Sequence, residues 1–247
     1  MAASECIRRL RLSRSGMPIS AVICCVPVGE WSTWLDSLHP CELEQLGRAR
    51  SDKRRAEFVS GRHAAKRAIC SLACSTSWLP SLLIESGVFG QPVVRAEVAA
   101  QVGVSIAHSG DFAIALAFDS GHPMGVDLEM IDIRNESTMR AQLSARETAR
   151  CDEQSVSQLE MSAHLWSAKE AVGKAMRSGL TVPSCLLEVS SIQLISCGYR
   201  LEFAQLIQYA AVAVRMGDYS LAVGLPRRTR LDESDLRGDL LRELASV

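Results

Sequence analysis

Two glycine turns set 107 residues apart constrain the fold more than any other feature of the chain. Ser109-Gly-Asp-Phe-Ala-Ile-Ala-Leu116 matches Met216-Gly-Asp-Tyr-Ser-Leu-Ala-Val223 when Gly110 is laid on Gly217. The same offset lays residues 58–68 on 165–175, with Arg62 on Lys169 and Arg67 on Lys174, and it lays Met17 on Met124. One offset that serves three segments implies a structural duplication. Its period is far too long for a solenoid, so it implies two similar lobes with a cleft between them.

Each half reads alike. In the first, a strand over 18–28 and a helix over 40–51 precede a long helix over 53–75 and a hairpin over 102–118. In the second, a strand over 124–131 and a helix over 144–152 precede a long helix over 158–177. Strands over 186–195 and 199–206 and a hairpin over 209–225 follow. Helices mixed with antiparallel hairpins give an α+β fold of two similar α/β lobes related by a pseudo-twofold. The expected division is a lobe over 17–120, a lobe over 121–226, a disordered extension over 1–16 and a charged, peripheral tail over 227–247. The extension holds four arginines and one acid with no apolar run of the secretory kind.

Composition narrows the function classes. Of 247 residues 47% are apolar and 22% charged, at net −1, enough for a real core and without the basic excess of a dedicated nucleic-acid binder. The nine cysteines are an odd number with no C-x-x-C, which suits reduced, buried thiols and a cytoplasmic setting. No apolar run reaches the roughly 18 residues that span a membrane.

Duplicated lobes share a core, so function should lie in what they do not share. In Met124-Gly-Val-Asp-Leu-Glu-Met130, Asp127 and Glu129 alternate with apolar residues and share one strand face, about 6.5–7 Å apart. The 107 offset puts Ser20 and Val22 at these positions in the first half, so the acidic pair occurs once. Adjacent carboxylates repel unless a cation intervenes; Mg²⁺ suits such hard oxygen ligands, although a solvated strand face alternates in the same way. On the long helix, Trp166, Glu170, Lys174 and Arg177 fall on one face at about 100° per residue. Leu165, Ala168, Val172, Ala175 and Met176 fall on the other. Glu170 is a third acid, where the offset puts His63. A tryptophan on the charged face calls for something to cover it.

Gly125-Val-Asp-Leu-Glu129, followed by Trp166-Ser-Ala-Lys-Glu-Ala-Val-Gly-Lys174, resembles the paired motifs of the 4′-phosphopantetheinyl transferases, and more narrowly the two-lobed, surfactin-synthetase-activating (Sfp-like) group. Ser105-Ile-Ala-His-Ser109, Phe89-Gly-Gln-Pro92 and Glu57-Phe-Val-Ser-Gly-Arg62 resemble further family stretches, and the likeness covers roughly residues 18–225. The resemblance implies an Mg²⁺-dependent enzyme with coenzyme A in the cleft. A serine of an apo acyl- or peptidyl-carrier protein attacks the β-phosphate and takes the 4′-phosphopantetheine arm, and 3′,5′-ADP leaves. It assigns Asp127, Glu129 and Glu170 to the metal, and Glu170 to the serine proton. Lys174 falls to the departing phosphate, and Ser105, His108 and Lys169 to coenzyme A, with Arg62 a candidate for its 3′-phosphate. It further implies broad carrier acceptance, including carriers of nonribosomal peptide and polyketide synthesis, while the duplication, which puts both sides of the cleft in one chain, implies a monomer. Gln45, Gln91 and Ala107 depart from the family pattern at nucleotide-facing positions. They leave open two other readings: a lapsed transferase that binds coenzyme A or a carrier without transfer, and an Mg²⁺-dependent phosphohydrolase.

Overall fold

The computed structural model describes residues 5–74, 79–95, 101–178, 182–238 and 240–241. The chain opens with β1 (Cys6–Arg14) and β2 (Met17–Pro27), then α1 (Pro40–Leu46) and α2 (Asp52–Leu72). The short hairpin β3 (Leu83–Ser86) and β4 (Pro92–Arg95) leads to the hairpin β5 (Val102–Ser109) and β6 (Phe112–Asp119). The second lobe runs β7 (Gly125–Met130), α3 (Ile133–Ala141), α4 (Ala145–Asp152), α5 (Gln158–Ala175), β8 (Val189–Ile195), β9 (Gly198–Phe203), β10 (Tyr209–Met216) and β11 (Tyr219–Pro226), and β12 (Arg230–Leu231) closes the chain's sheets. Sheet one has the order β12-β1-β2-β6-β5 and sheet two β7-β11-β10-β9-β8, every pairing antiparallel.

The two sheets bury one face against each other. Leu10, Ile23, Cys25 and Leu116 from the first share a cluster with Val126, Leu128, Leu221 and Val223 from the second. The outer faces are covered by helices. Val22, Cys24 and Val26 meet Val59, Ala64 and Ala68 of α2, and Ala211, Ala213 and Ala222 meet Ala168, Ala171 and Val172 of α5. The result is a sandwich of two sheets with one long helix outside each, the α+β architecture expected.

The duplication holds, with a slip in its first part. The late hairpins align at 107: both turn on a left-handed glycine, Gly110 at φ 54° and Gly217 at φ 58°, as two-residue hairpin loops require. Phe112 faces Pro27 across one ladder, while its counterpart Tyr219 faces Met130 across the other. The first strands therefore correspond at 103, not 107. Cys24 and Val26, not Ser20 and Val22, stand where Asp127 and Glu129 stand. The acidic pair still occurs once.

The long helices share the 103 offset. Lys66 donates to the Ser37 carbonyl at 2.8 Å and pairs with Glu42 at 2.6 Å. Lys169 donates to the Gln142 carbonyl at 2.9 Å and pairs with Glu147 at 2.7 Å. Each glutamate is the third residue of a capping box, and each accepts a backbone N–H from the strand behind it, Ile84 at 3.0 Å and Val189 at 2.8 Å. Lys66 and Lys169 are therefore the same residue of the ancestral lobe. Arg62 is not the counterpart of Lys169.

Both chain ends differ from expectation. The extension over 1–16 is instead mostly strand β1, paired along its length with β2 through a Ser15-Gly16 turn. Leu10 and Leu12 alternate with arginines and enter the inter-sheet core. The tail from 227 is not peripheral over its described part. β12 pairs with β1, Leu236, Leu240 and Leu241 are buried, and Arg11 bridges Asp232 at 2.9 Å and Asp235 at 2.7 Å. Residues 1–4 and 242–247 of these two ends lie outside the described residues. No described helix is long and apolar enough to cross a membrane.

Candidate active site

Strand β7 and helix α5 bring the acids together. Val126 and Leu128 point into the inter-sheet core, so the alternation of the strand turns Asp127 and Glu129 toward the helix. The helix lies unusually close. A Cβ on Gly125 would stand 2.0 Å from the Ala171 carbonyl oxygen, and one on Gly224, its partner in the ladder, 2.7 Å from the Ala171 carbonyl carbon. Two glycines side by side thus let α5 settle onto the strands and bring its charged face to β7.

That face meets the acids. Lys174 Nζ donates to Asp127 Oδ1 at 2.6 Å, and Trp166 Nε1 donates to Glu129 Oε1 at 3.0 Å. The indole is therefore covered by the acidic strand. Asp127 is buried, and its Oδ2 has no hydrogen-bond partner. Burial raises the pKa of Asp127, with the Lys174 charge opposing. Glu129 is pushed up to about 7 by burial and then by the charge of Asp127, and Glu170 to about 7 by the same two causes. The three acids thus share one field, with more negative charge than Lys174 alone offsets. Among the described residues, no three such side chains yet close around a common point as metal ligands.

His108, exposed on β5, lies beside the cluster. Its Nδ1 is 3.7 Å from Glu57 Oε1. Partial desolvation of the ring lowers its pKa; the Glu57 charge opposes this, and the Lys174 charge adds to it. A hollow of about 80 Å³ opens beside Trp166 and Glu170, and two larger ones flank the group. One, of about 160 Å³, is lined by Lys174, Arg177, Ser105, Phe118 and the Phe89–Pro92 turn. The other, of about 530 Å³, is lined by His108, Lys53, Glu57, Met130 and Arg134. A groove of similar size, about 560 Å³, lies away from the acids beside Pro18, Leu72 and His122.

Three of the expected coenzyme contacts have other partners. Lys169 is buried and held by Glu147 and the Gln142 carbonyl. Ser105 is buried, and its Oγ accepts from the Val126 N–H at 3.1 Å; Ser109 Oγ accepts from the Met130 N–H at the same distance. These two serines fasten β5 of one lobe to β7 of the other. Arg62 sits over the Phe58 ring, 4.9 Å from its centre, with its Nε 3.7 Å from Glu42. Gln91, at the turn where the family offers a base, folds back to accept the Phe89 N–H at 2.9 Å. Ala107 is buried in the inter-sheet core. Sequence reasoning missed Glu42 and Glu147; the signal was the capping-box spacing from Ser144 to Glu147.

Two family models match the chain. The 4′-phosphopantetheinyl transferase superfamily matches residues 123–223, and the 4′-phosphopantetheinyl transferase N-terminal domain matches residues 42–118. The chain belongs to the 4′-phosphopantetheinyl transferases. The boundary between the two matches falls between β6 and β7, where one lobe ends and the other begins. No curated protein sequence shows a significant match. Among solved structures, the chain is similar to the holo-(acyl-carrier-protein) synthase of Bacillus anthracis in complex with CoA (3′,5′-ADP). The two are 20% identical over 47% of this chain and 98% of that one, at a TM-score of 0.35. The holo-ACP synthase of Plasmodium yoelii is 18% identical over 47% and 93% of the two chains, at 0.34. That of Thermotoga maritima is 19% identical over 58% and 76%, at 0.35.

Proposed function

We propose that this 4′-phosphopantetheinyl transferase moves the phosphopantetheine arm of coenzyme A to a serine of an apo acyl- or peptidyl-carrier protein, as a two-lobed, Sfp-like enzyme. The observation that carries the reading is the convergence of Asp127, Glu129, Glu170 and Lys174 from β7 and α5 beside an inter-lobe cleft, in a chain matched by both family models. One chain supplies both walls of that cleft, which supports action as a monomer.

The residues suit the chemistry. A serine hydroxyl needs a base in hydrogen-bond reach, and a carboxylate that titrates near 7 takes a proton effectively at neutral pH. Glu170 is that base. As the serine oxygen bonds to the β-phosphorus, the bond to the α-phosphate side breaks and 3′,5′-ADP departs with the extra charge. Phosphoryl transfer depends chiefly on positioning and charge neutralisation, and Lys174 and Arg177 supply positive charge at the mouth of the smaller hollow. Three acids with surplus negative charge, and a buried Asp127 oxygen that nothing satisfies, fit a hard divalent cation. Asp127, Glu129 and Glu170 would hold Mg²⁺, which when bound neutralises diphosphate oxygens as a Lewis acid. His108 faces the larger hollow as a phosphate contact.

Incubation of apo carrier proteins with coenzyme A and Mg²⁺ tests the reading. One phosphopantetheine should be added at the carrier serine, read by intact mass, and far more slowly with Glu170→Gln. No gain on any acyl or peptidyl carrier overturns it. Free phosphopantetheine released without a carrier marks a phosphohydrolase.

A further inference from the structure

Among the described residues, Lys174 is the one cation in direct contact with the acid cluster, and its position is odd for a group that serves a phosphate. Its ammonium is drawn back against Asp127 at 2.6 Å, where the carboxylate is almost wholly enclosed. Its side chain is nevertheless 27% exposed and also lines the hollow shared with Arg177 and the Phe89–Pro92 turn. A flexible four-carbon stem can therefore place the ammonium at either point from the same backbone position. On the other side of the same carboxylate, Oδ2 is buried without a partner. A single ammonium satisfies one oxygen of one acid and leaves Glu170 with no hydrogen bond to it among the described residues. A divalent ion could serve several acids at once.

We propose that Lys174 is an internal stand-in for the divalent cation: it holds Asp127 until a metal ion binds, and the ion displaces the ammonium into the phosphate-facing hollow. This rests on the metal reading of the proposed function. No covalent step is involved; one cation replaces another at Asp127, and the released one becomes available to an anion. Metal and phosphate are thereby coupled through one side chain. Without the metal, Lys174 is committed to Asp127, and the hollow keeps only Arg177 from α5's end. With the metal, both cations face it.

The chain has four lysines, at 53, 66, 169 and 174, and they make a self-controlled experiment. Lys53 is 84% exposed, and Lys66 and Lys169 are buried in ion pairs. The full-length protein is treated with an acetylating N-hydroxysuccinimide ester, in chelator or in saturating Mg²⁺, and each lysine is quantified by peptide mass spectrometry. Contact with Asp127 shields the ammonium, so Mg²⁺ should raise labelling of Lys174 at least about threefold while Lys53 stays high and Lys66 and Lys169 stay low. In parallel, Mn²⁺ is titrated into the protein without coenzyme A and followed by electron paramagnetic resonance. Lys174→Met should bind Mn²⁺ about tenfold more tightly than wild type, and Lys174→Arg no more tightly. Unchanged Lys174 labelling while Mn²⁺ is seen to bind overturns the inference, even if Lys174→Met fails to fold. If the carrier still gains its arm under those conditions, the proposed function stands and only the stand-in falls. If no divalent ion binds at all, both the stand-in and the metal reading fall.

Discussion

Lobe one and lobe two put the same scaffold to opposite electrostatic uses. At the positions of Asp127 and Glu129, lobe one carries Cys24 and Val26 in its apolar cluster. At the positions of Trp166 and Glu170 it carries His63 and Arg67. There both polar side chains are answered. Arg67 pairs with Glu5; His63 lies 3.4 Å from the same carboxylate and 3.1 Å from Ser37 Oγ, and its ring stacks on Trp34 at 5.0 Å. Lobe two leaves an oxygen of Asp127 unsatisfied and two glutamates poised near neutrality. A fold that neutralises this position in one copy leaves it unbalanced in the other, as the proposed cation site requires. Perturbed groups of this kind cluster at functional sites.

The largest difference should appear in transfer itself. Glu170→Gln removes the proposed base and should slow carrier modification by about 10³-fold. Arg67→Gln, its counterpart in lobe one, should change the rate less than about twofold, while lowering thermal stability because Glu5 loses its partner. Time courses of carrier mass gain compare the two directly. Equal damage from both would mean that lobe one also acts on the substrate.

A second pair tests the equivalence of the buried lysines. Lys66→Met and Lys169→Met each strand an enclosed glutamate, so each should cost about 3–5 kcal/mol in urea unfolding. Neither should change the KM for coenzyme A at a temperature where the variant is folded. A raised KM with undiminished stability in Lys169→Met would return that residue to the coenzyme, as the family resemblance had it.

These lysines also show where the sequence is legible and where it is not. The duplication, the two late hairpins, the long helices and the four charged residues that β7 and α5 bring together could all be read from glycine turns and periodicity. The four-residue slip could not. Four residues is close to one helical turn and equals two strand periods, so moving from 107 to 103 preserves which face every side chain takes. Only the ladders, with Pro27 opposite Phe112 and Met130 opposite Tyr219, fix it. β1 was hidden because Arg8, Arg9 and Arg11 crowd its apolar alternation, and the partners of Arg8 and Arg11 lie more than 220 residues away, at Asp235 and Arg237. Lys169 lies beside Glu170 in the motif. Nothing in its spacing says that its ammonium turns toward α4.

The close approach of α5 is a third contrast. The ladder positions held by Gly125 and Gly224 in lobe two are held by Val22 and Ala117 in lobe one. Gly125→Ala forces a methyl group onto the helix backbone and should cost about 1–3 kcal/mol. It should also reduce transfer, since lifting α5 carries Trp166 and Glu170 away from β7. Chemical unfolding and the carrier assay on one preparation would show both. Full transfer by a folded Gly125→Ala enzyme would mean that the acids tolerate a displaced helix.

The smallest effect, and the one that separates the lobes by sign, is the response of the metal-free protein to pH. Glu129 and Glu170 titrate near 7 in the fold against 4.5 for an ordinary glutamate. The fold therefore binds their protons more tightly than the unfolded chain does. Their contribution to stability is complete below about 4.5 and is lost as pH rises through 7. Glu5 behaves in the opposite way. Burial resists its ionisation, but the hydrogen bonds from His63 and Arg67 outweigh this and hold its pKa below 4.5. Its contribution is present above 4.5 and lost as pH falls through its lowered value. In chelator at pH 8, Glu170→Gln should therefore gain about 1 kcal/mol of stability and Glu5→Gln lose a similar amount, both sites being partly exposed and screened. Below pH 5 the Glu170→Gln gain should vanish. A Glu170→Gln protein less stable than wild type at pH 8 in chelator would mean that lobe two, like lobe one, already answers its charges from within.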